Sequence, residues 1–341
     1  MKKGLFGEIR DAVTTRAAAL MLAVLGVQLA FVGSYVGAFH DPQPHRIPVA
    51  VVGPGPVAAL NNLAGHPLDA RAVPDEAAAR RQIAHRQVYG ALIYTGTAAT
   101  DRLLVATAAG APVAQVLTSV FKAALAGRDL TVEDVVPTRD GDARGLSGFY
   151  LVLGWVVGGY LVAIALSTSR GARPGNRHRA VIRLSALMLY AVLSGLGGAL
   201  ITTSVLGALS GGVGQLCWLG ALLVFAAGAV TMALQALFGF VGVGLSVVLF
   251  VVLGNPSAGG AHPTPLLPAF WRTIGPWLPP GLGTDAVRGI AYFAGAGVAR
   301  AAGVLGAYAV AGVAATLIAS AMQEPRPVRL ADLPKSIRAA S

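Results

Sequence analysis

The chain has 341 residues, of which 55% are apolar (AVILMFWYC) and 12% are charged, against roughly 25% charged in an ordinary soluble domain. A soluble globule of this size needs more charge to cover its surface, and the apolar content excludes disorder, so composition alone gives an α-helical polytopic membrane protein. The formal net charge of +11 would suggest nucleic acid as a partner in a soluble protein. Here Lys and Arg read instead as signals that hold loops on the cytoplasmic side, and no nucleic-acid partner is expected.

In chain order, residues 1–16 place Leu5, Phe6, Ile9 and Val13 at near-helical spacing. That pattern suits a short amphipathic helix on the inner membrane surface; the plainer alternative is a charged lead-in to the first span. Six apolar segments follow, at 17–39, 149–166, 184–206, 216–234, 237–253 and 301–321, where each crossing needs about 20 residues. The first reads as a retained anchor, because its apolar run exceeds the roughly 7–15 residues of a signal-peptide core. The fourth and fifth are nearly continuous, and Gln235 to Gly239 is the expected tight turn between them.

Between the first two spans lies an insert, 40–147. Strand-like runs occur at 47–52, 88–94, 103–107 and 131–136, with helical patterns at 58–64, 75–86 and 113–126. Asp75 follows a proline and can cap the second of these helices. The expectation is a small extracytoplasmic α/β domain, followed by a five-helix bundle over 148–321 and a cytoplasmic tail over 322–341. Before the last span, the loop 255–300 is broken by Pro263, Pro265, Pro268, Pro276, Pro279 and Pro280, with Trp271 and Trp277 between them. Trp favours the headgroup level. A short amphipathic helix over 284–293, capped by Thr284 or Asp285, is expected there as part of a broken, re-entrant element.

Charge supports six spans with both ends inside. Residues 1–16, the linker after the second span and the tail hold 13 basic residues against four acidic ones, whereas the insert holds ten of each. Only an even number of crossings puts all three basic clusters on one side.

The spans contain no Asp, Glu, Lys, Arg or His, and Cys217 is the only cysteine. Ionisable groups at membrane depth are the usual parts of proton relays and ion-coupled pumps, so ion coupling is disfavoured. No HExxH, GxSxG, CxxC or Gly-Lys-Ser/Thr phosphate loop is present, so neither an enzyme nor a resident cofactor or metal is expected. Gln28, Gln215 and Gln235 are the amides in the spans. They read either as interhelical hydrogen bonds or as the lining of a translocation path or subunit seam. Arg173, Arg177, Arg179 and Arg183 form a basic linker, either a plain orientation signal that touches anionic lipid or a dock for an acidic cytoplasmic partner. Arg272, Asp285 and Arg288 are the charges of the outer loop before Arg300. Asp285 and Arg288 share a helix face, as a local ion pair or as an outer gate or lipid-headgroup contact. Pairs such as Gly154/Gly158, Gly207/Gly211 and Gly303/Ala307 suit close helix packing.

The order of a span, an extracytoplasmic α/β insert and five further spans resembles the type-2 permeases of ATP-binding-cassette exporters, in particular the phage-infection-protein-like branch. The residues that carry the likeness are IPVAVVGPG (47–55), VYGALIYTG (88–96), LLVATAAGAPVAQVLTSVF (103–121) and WLPPGLGTDAVRGIAYF (277–293). The resemblance implies a transport subunit of the bacterial cytoplasmic membrane that forms a homo- or heterodimer and is driven by a separate cytoplasmic ATPase subunit. It implies that Leu5, Phe6, Ile9 and Val13, with the linker arginines, face that ATPase. The linker departs from the family in being short and rich in Gly and Arg. The competing reading is a non-transporting scaffold or phage-type surface receptor that acts through the insert.

Overall fold

The computed structural model describes residues 14–96, 100–168 and 176–322. The expected surface helix, with Leu5, Phe6, Ile9 and Val13, lies outside them, as do Arg173 and the tail beyond Met322. The first helix, α1 (Thr15–Phe39), starts where the Thr14 hydroxyl accepts the Ala17 amide at 3.1 Å. Twenty-five residues make a rod about 37 Å long, enough to cross a bilayer.

The insert folds as a five-stranded mixed sheet. Its strands are β1 (Ile47–Val52), β2 (Leu68–Val73), β3 (Gly90–Ile93), β4 (Thr100–Val105) and β5 (Asp129–Asp134), in the order β2-β1-β3-β4-β5. All neighbours are parallel except β3 and β4. The run IPVAVV makes β1 a central strand, since buried parallel strands need apolar residues on both faces. One face is covered by α2 (Val57–Asn61) and α4 (Ala111–Ala124), through Leu60, Val113, Leu117 and Phe121. The other is covered by α3 (Glu76–Ala84), through Ala79 and Ile83, and Asp75 caps this helix by accepting the Ala78 amide at 2.6 Å. β2 was not expected: LDARAV carries two charges, which an edge strand can turn to solvent.

The bundle comprises α5 (Ser147–Thr168), α6 (Arg177–Leu200, prolonged by a wide π-helical turn over Ile201–Val205), α7 (Val213–Phe238) and α8 (Val241–Val247, continued as π-helix over Val248–Gly254). Then come the short α9 (Ala269–Ile274), α10 (Pro279–Tyr292) and the long α11 (Val298–Met322). Among the described residues, five helices, α1, α5, α6, α7 and α11, are long and apolar enough to cross a membrane. The segment expected to be the fifth of six spans is a 14-residue apolar helix instead. At 1.5 Å per residue it reaches about 21 Å of a core about 30 Å thick. The turn before it comes later than the expected Gln235–Gly239: Gln235 to Phe238 stay in α7, and Gly239, at φ 60°, ends it. Asn255 hydrogen-bonds to the Tyr35 hydroxyl near the end of α1, so α8 returns the chain to the end of the bundle that carries the domain.

α7 is the central helix: 67% of its apolar window is buried, against 6% for α1. Its neighbours approach closely at glycines. A Cβ on Gly195 of α6 would lie 2.4 Å from the Cys217 carbonyl oxygen, and one on Gly159 of α5 would lie 2.6 Å from that of Val224. The small-residue pairs picked out by spacing are not these contacts. Gly207 and Gly211 sit in a turn with positive φ, and Gly154 and Gly303 face open space.

α10 corrects a second expectation. It begins at Pro279, five residues before Thr284, and Thr284 lies inside it with its hydroxyl donating to the Pro280 carbonyl at 2.8 Å. Proline suits the first helical turn, where its missing N–H leaves no bond unmade, so the Pro279–Pro280 pair starts the helix rather than breaking the chain. α10 is wedged into the bundle: Leu282, Ala286 and Val287 pack with Val152, Leu223 and Phe250. The segment 255–300 also grips the α/β domain from both sides. Leu266 joins the core under α4, and Phe293 joins the core under α3.

Candidate functional site

The junction of the domain with α10 gathers the ionisable groups. Arg86 stands just past the end of α3 with φ 60°, a left-handed cap position that glycine fills most easily. Its guanidinium donates to the Asp285 carboxylate, to the Asp285 carbonyl at 2.9 Å and to the Ala296 carbonyl at 3.5 Å. It also lies over the Phe293 ring, 5.4 Å from its centroid. Asp285 therefore pairs with a residue 199 positions away, and the local pair with Arg288 is not formed. Glycine makes the close fit possible, since a Cβ on Gly289 would lie 2.3 Å from the Ala296 carbonyl oxygen. Beside this bridge, the Tyr292 hydroxyl donates to Asp142 at 2.7 Å, while the other oxygen of Asp142 accepts the Ser147 amide at 2.8 Å. Burial, and then the bond to Asp142, raise the Tyr292 hydroxyl well above its ordinary pKa.

A cavity of about 100 Å³ opens at this joint, with Arg86, Tyr89, Asp285, Arg288 and Arg300 in its lining. Arg288 is recessed. Desolvation, and then the neighbouring Arg86 guanidinium, lower its pKa, but arginine keeps its charge. Its guanidinium makes one long bond, 3.4 Å to the Gly259 carbonyl. Arg300 lies at the rim, over the Trp277 ring and bonded to the Pro276 carbonyl at 3.2 Å. The third outer charge, Arg272, sits on α9 and bonds the Leu267 carbonyl at 3.2 Å.

A different opening lies lower in the bundle. α1 is held near its end, where Ser34 donates to the Val252 carbonyl and Ala38 packs on Leu267 and Trp271. Below that, α1 and α8 enclose an apolar cleft of about 450 Å³, lined by Leu20, Ala23, Val27, Phe240, Leu245 and Val248 among others. Among the described residues, no polar or ionisable side chain lines it.

The three glutamines do not meet. Gln215 and Gln235 stand twenty residues apart on α7, about 30 Å along its axis. Gln235 is buried and accepts the Ser167 hydroxyl, and its amide nitrogen has no partner among the described residues. Gln215 is exposed in a shallow groove beside Trp218, and Gln28 is exposed midway along α1. Of the linker arginines described, Arg177, Arg179 and Arg183 belong to the first two turns of α6, which Asn176 caps by accepting the Arg179 amide at 2.9 Å. What sequence reasoning missed is the part played by Arg86 and Tyr89. The one signal for Arg86 was its place at a helix end, where a small residue is usual. No family model matches the chain, and no curated protein or solved structure matches it.

Proposed function

We propose that this chain is the membrane-spanning permease subunit of an ATP-binding-cassette exporter in a bacterial cytoplasmic membrane. In this reading it moves a hydrophobic or amphipathic substrate outward, paired with a second permease copy and driven by a separate ATPase subunit. The observation that carries the reading is the apolar cleft between α1 and α8. It is open at the side of the bundle and lined wholly by apolar groups, which suits a lipid-like cargo and offers nothing to an ion. The lack of titratable side chains along the apolar length of the spans supports a source of work outside this polypeptide.

In the same reading, α8 is the remaining one of six crossings, short enough to need local thinning of the bilayer, and both termini are cytoplasmic. Arg177, Arg179 and Arg183 then stand at the inner end of α6, within reach of an acidic partner surface. Gln28 faces outward at mid-membrane, where lipid cannot satisfy an amide, and marks the seam with the second copy.

Copurification and flux test this. The tagged chain is expressed with candidate ATPases and reconstituted in liposomes, and ATP-dependent movement of a lipophilic dye is followed. Filling the cleft with Ala23→Trp is expected to lower flux at least fivefold while the ATPase still copurifies. A chain that captures no ATPase and moves no dye with any of them refutes the proposal, as does a current driven by voltage or a pH gradient without nucleotide.

A further inference from the structure

The cavity at the joint between the α/β domain and α10 carries more positive charge than its own carboxylate can balance. Three guanidinium groups, Arg86, Arg288 and Arg300, border it, against the single carboxylate of Asp285, which Arg86 already engages. Among the described residues, no carboxylate lies within ion-pair distance of Arg288, and its one hydrogen bond is the long contact to Gly259. The Tyr89 hydroxyl, in the same lining, has no hydrogen-bond partner among the described residues. The unbonded donors of Arg288 and Tyr89 open onto the cavity, where neighbouring guanidinium charges repel one another, and an anion offsets that repulsion and accepts from both. The first turns of two helices also border the space, with Gly281 in α10 and Arg300 and Ala301 in α11. Helix N-termini carry partial positive charge and favour anions.

We propose that this cavity binds a phosphate-type oxyanion, held by Arg288, Arg300 and Tyr89 with Arg86 behind them. At about 100 Å³ it has room for a single tetrahedral group. The group can come from free phosphate or from the phosphodiester of an anionic lipid, because the rim at Arg300 and Trp277 is exposed. The inference does not depend on the permease reading, since binding needs no ATPase.

The test uses the full chain purified in phosphate-free detergent. Inorganic phosphate is titrated calorimetrically, and short-chain phosphatidylglycerol is titrated in parallel. The expected result is saturable binding of at least one of the two, weakened at least tenfold in Arg288→Gln and several-fold in Tyr89→Phe, and unchanged in Arg272→Gln, which lies outside the cavity. Binding of inorganic phosphate assigns a free anion, and binding of phosphatidylglycerol alone assigns a lipid headgroup. If Arg288→Gln does not fold, Tyr89→Phe, which removes only a hydroxyl, still decides the question. If neither probe binds the wild type, or if both variants bind as the wild type does, the proposal is overturned.

Discussion

The Arg86–Asp285 bridge joins the domain to α10, and its strength follows from its surroundings. Two unit charges about 4 Å apart attract by about 4 kcal/mol at an effective dielectric of 20. The Arg86 side chain is 16% exposed and that of Asp285 48%, so solvent screens part of this. A coupling of about 1–2 kcal/mol remains, above the roughly 0.2–1 kcal/mol of fully exposed pairs. Arg86 also holds a left-handed backbone, which any residue with a Cβ adopts at a penalty of about 1 kcal/mol relative to glycine. Arg86→Ala therefore loses the bridge and keeps the strain, whereas Arg86→Gly loses the bridge and sheds the strain.

Opening of the joint can be read by hydrogen exchange at residues 86–90 and 294–297 of the full chain in detergent. Arg86→Ala should raise the opening equilibrium about 5- to 30-fold, and Arg86→Gly about fivefold less than that. Asp285→Asn should have much less effect in the Arg86→Ala background than in the wild type. Equal exchange in the alanine and glycine variants would refute the backbone argument. An Asp285→Asn effect that is the same in both backgrounds would refute the bridge.

Acid should weaken the α/β domain. Glu76 and Glu133 are each held below the ordinary carboxylate range by hydrogen bonds from Arg80 and then Arg102. Burial alone would raise Asp101, but its bonds from Arg128 and Thr95 outweigh that and lower it. Depressed carboxylates stabilise the fold above their unfolded pKa of about 4, and the stabilisation is lost as pH falls through their lower folded values. Exchange protection of β4 and β5 should be flat from pH 7 to pH 5 and decline below about pH 4; a decline that begins near pH 6 would contradict the assignment. Within the bundle, Ser167→Ala strands the buried Gln235 carbonyl oxygen and should destabilise by about 1–3 kcal/mol, whereas Ser167→Ala with Gln235→Leu removes both partners and should recover most of that. Thermal unfolding in detergent checks the pair, and equal losses would exclude the buried hydrogen bond.

Local chemistry was legible where it acts within a few residues. The apolar run at Ile47 gave β1 its bounds, Asp75 gave α3 its start, and Gly239 gave the turn between α7 and α8. Among the described residues, hydropathy found each helix that is long enough to cross, but it could not measure α8, because an apolar run of spanning length includes residues that turn at Gly239. Prolines at 279 and 280 were read as interruptions because proline ends helices more visibly than it begins them. The site itself was only half visible. Asp285 and Arg288 stood out as rare charges in an apolar loop, while Arg86 was one of ten basic residues in a charge-balanced insert. Its pairing depends on the sheet being seated on α10, and nothing in sequence spacing encodes that.

Because Leu266 and Phe293 seize opposite faces of one sheet, the domain is not a bead on a string. Whatever tugs on it tugs on the same short helix that is driven between Val152 and Leu223, and any shift of that wedge must tilt the domain in return.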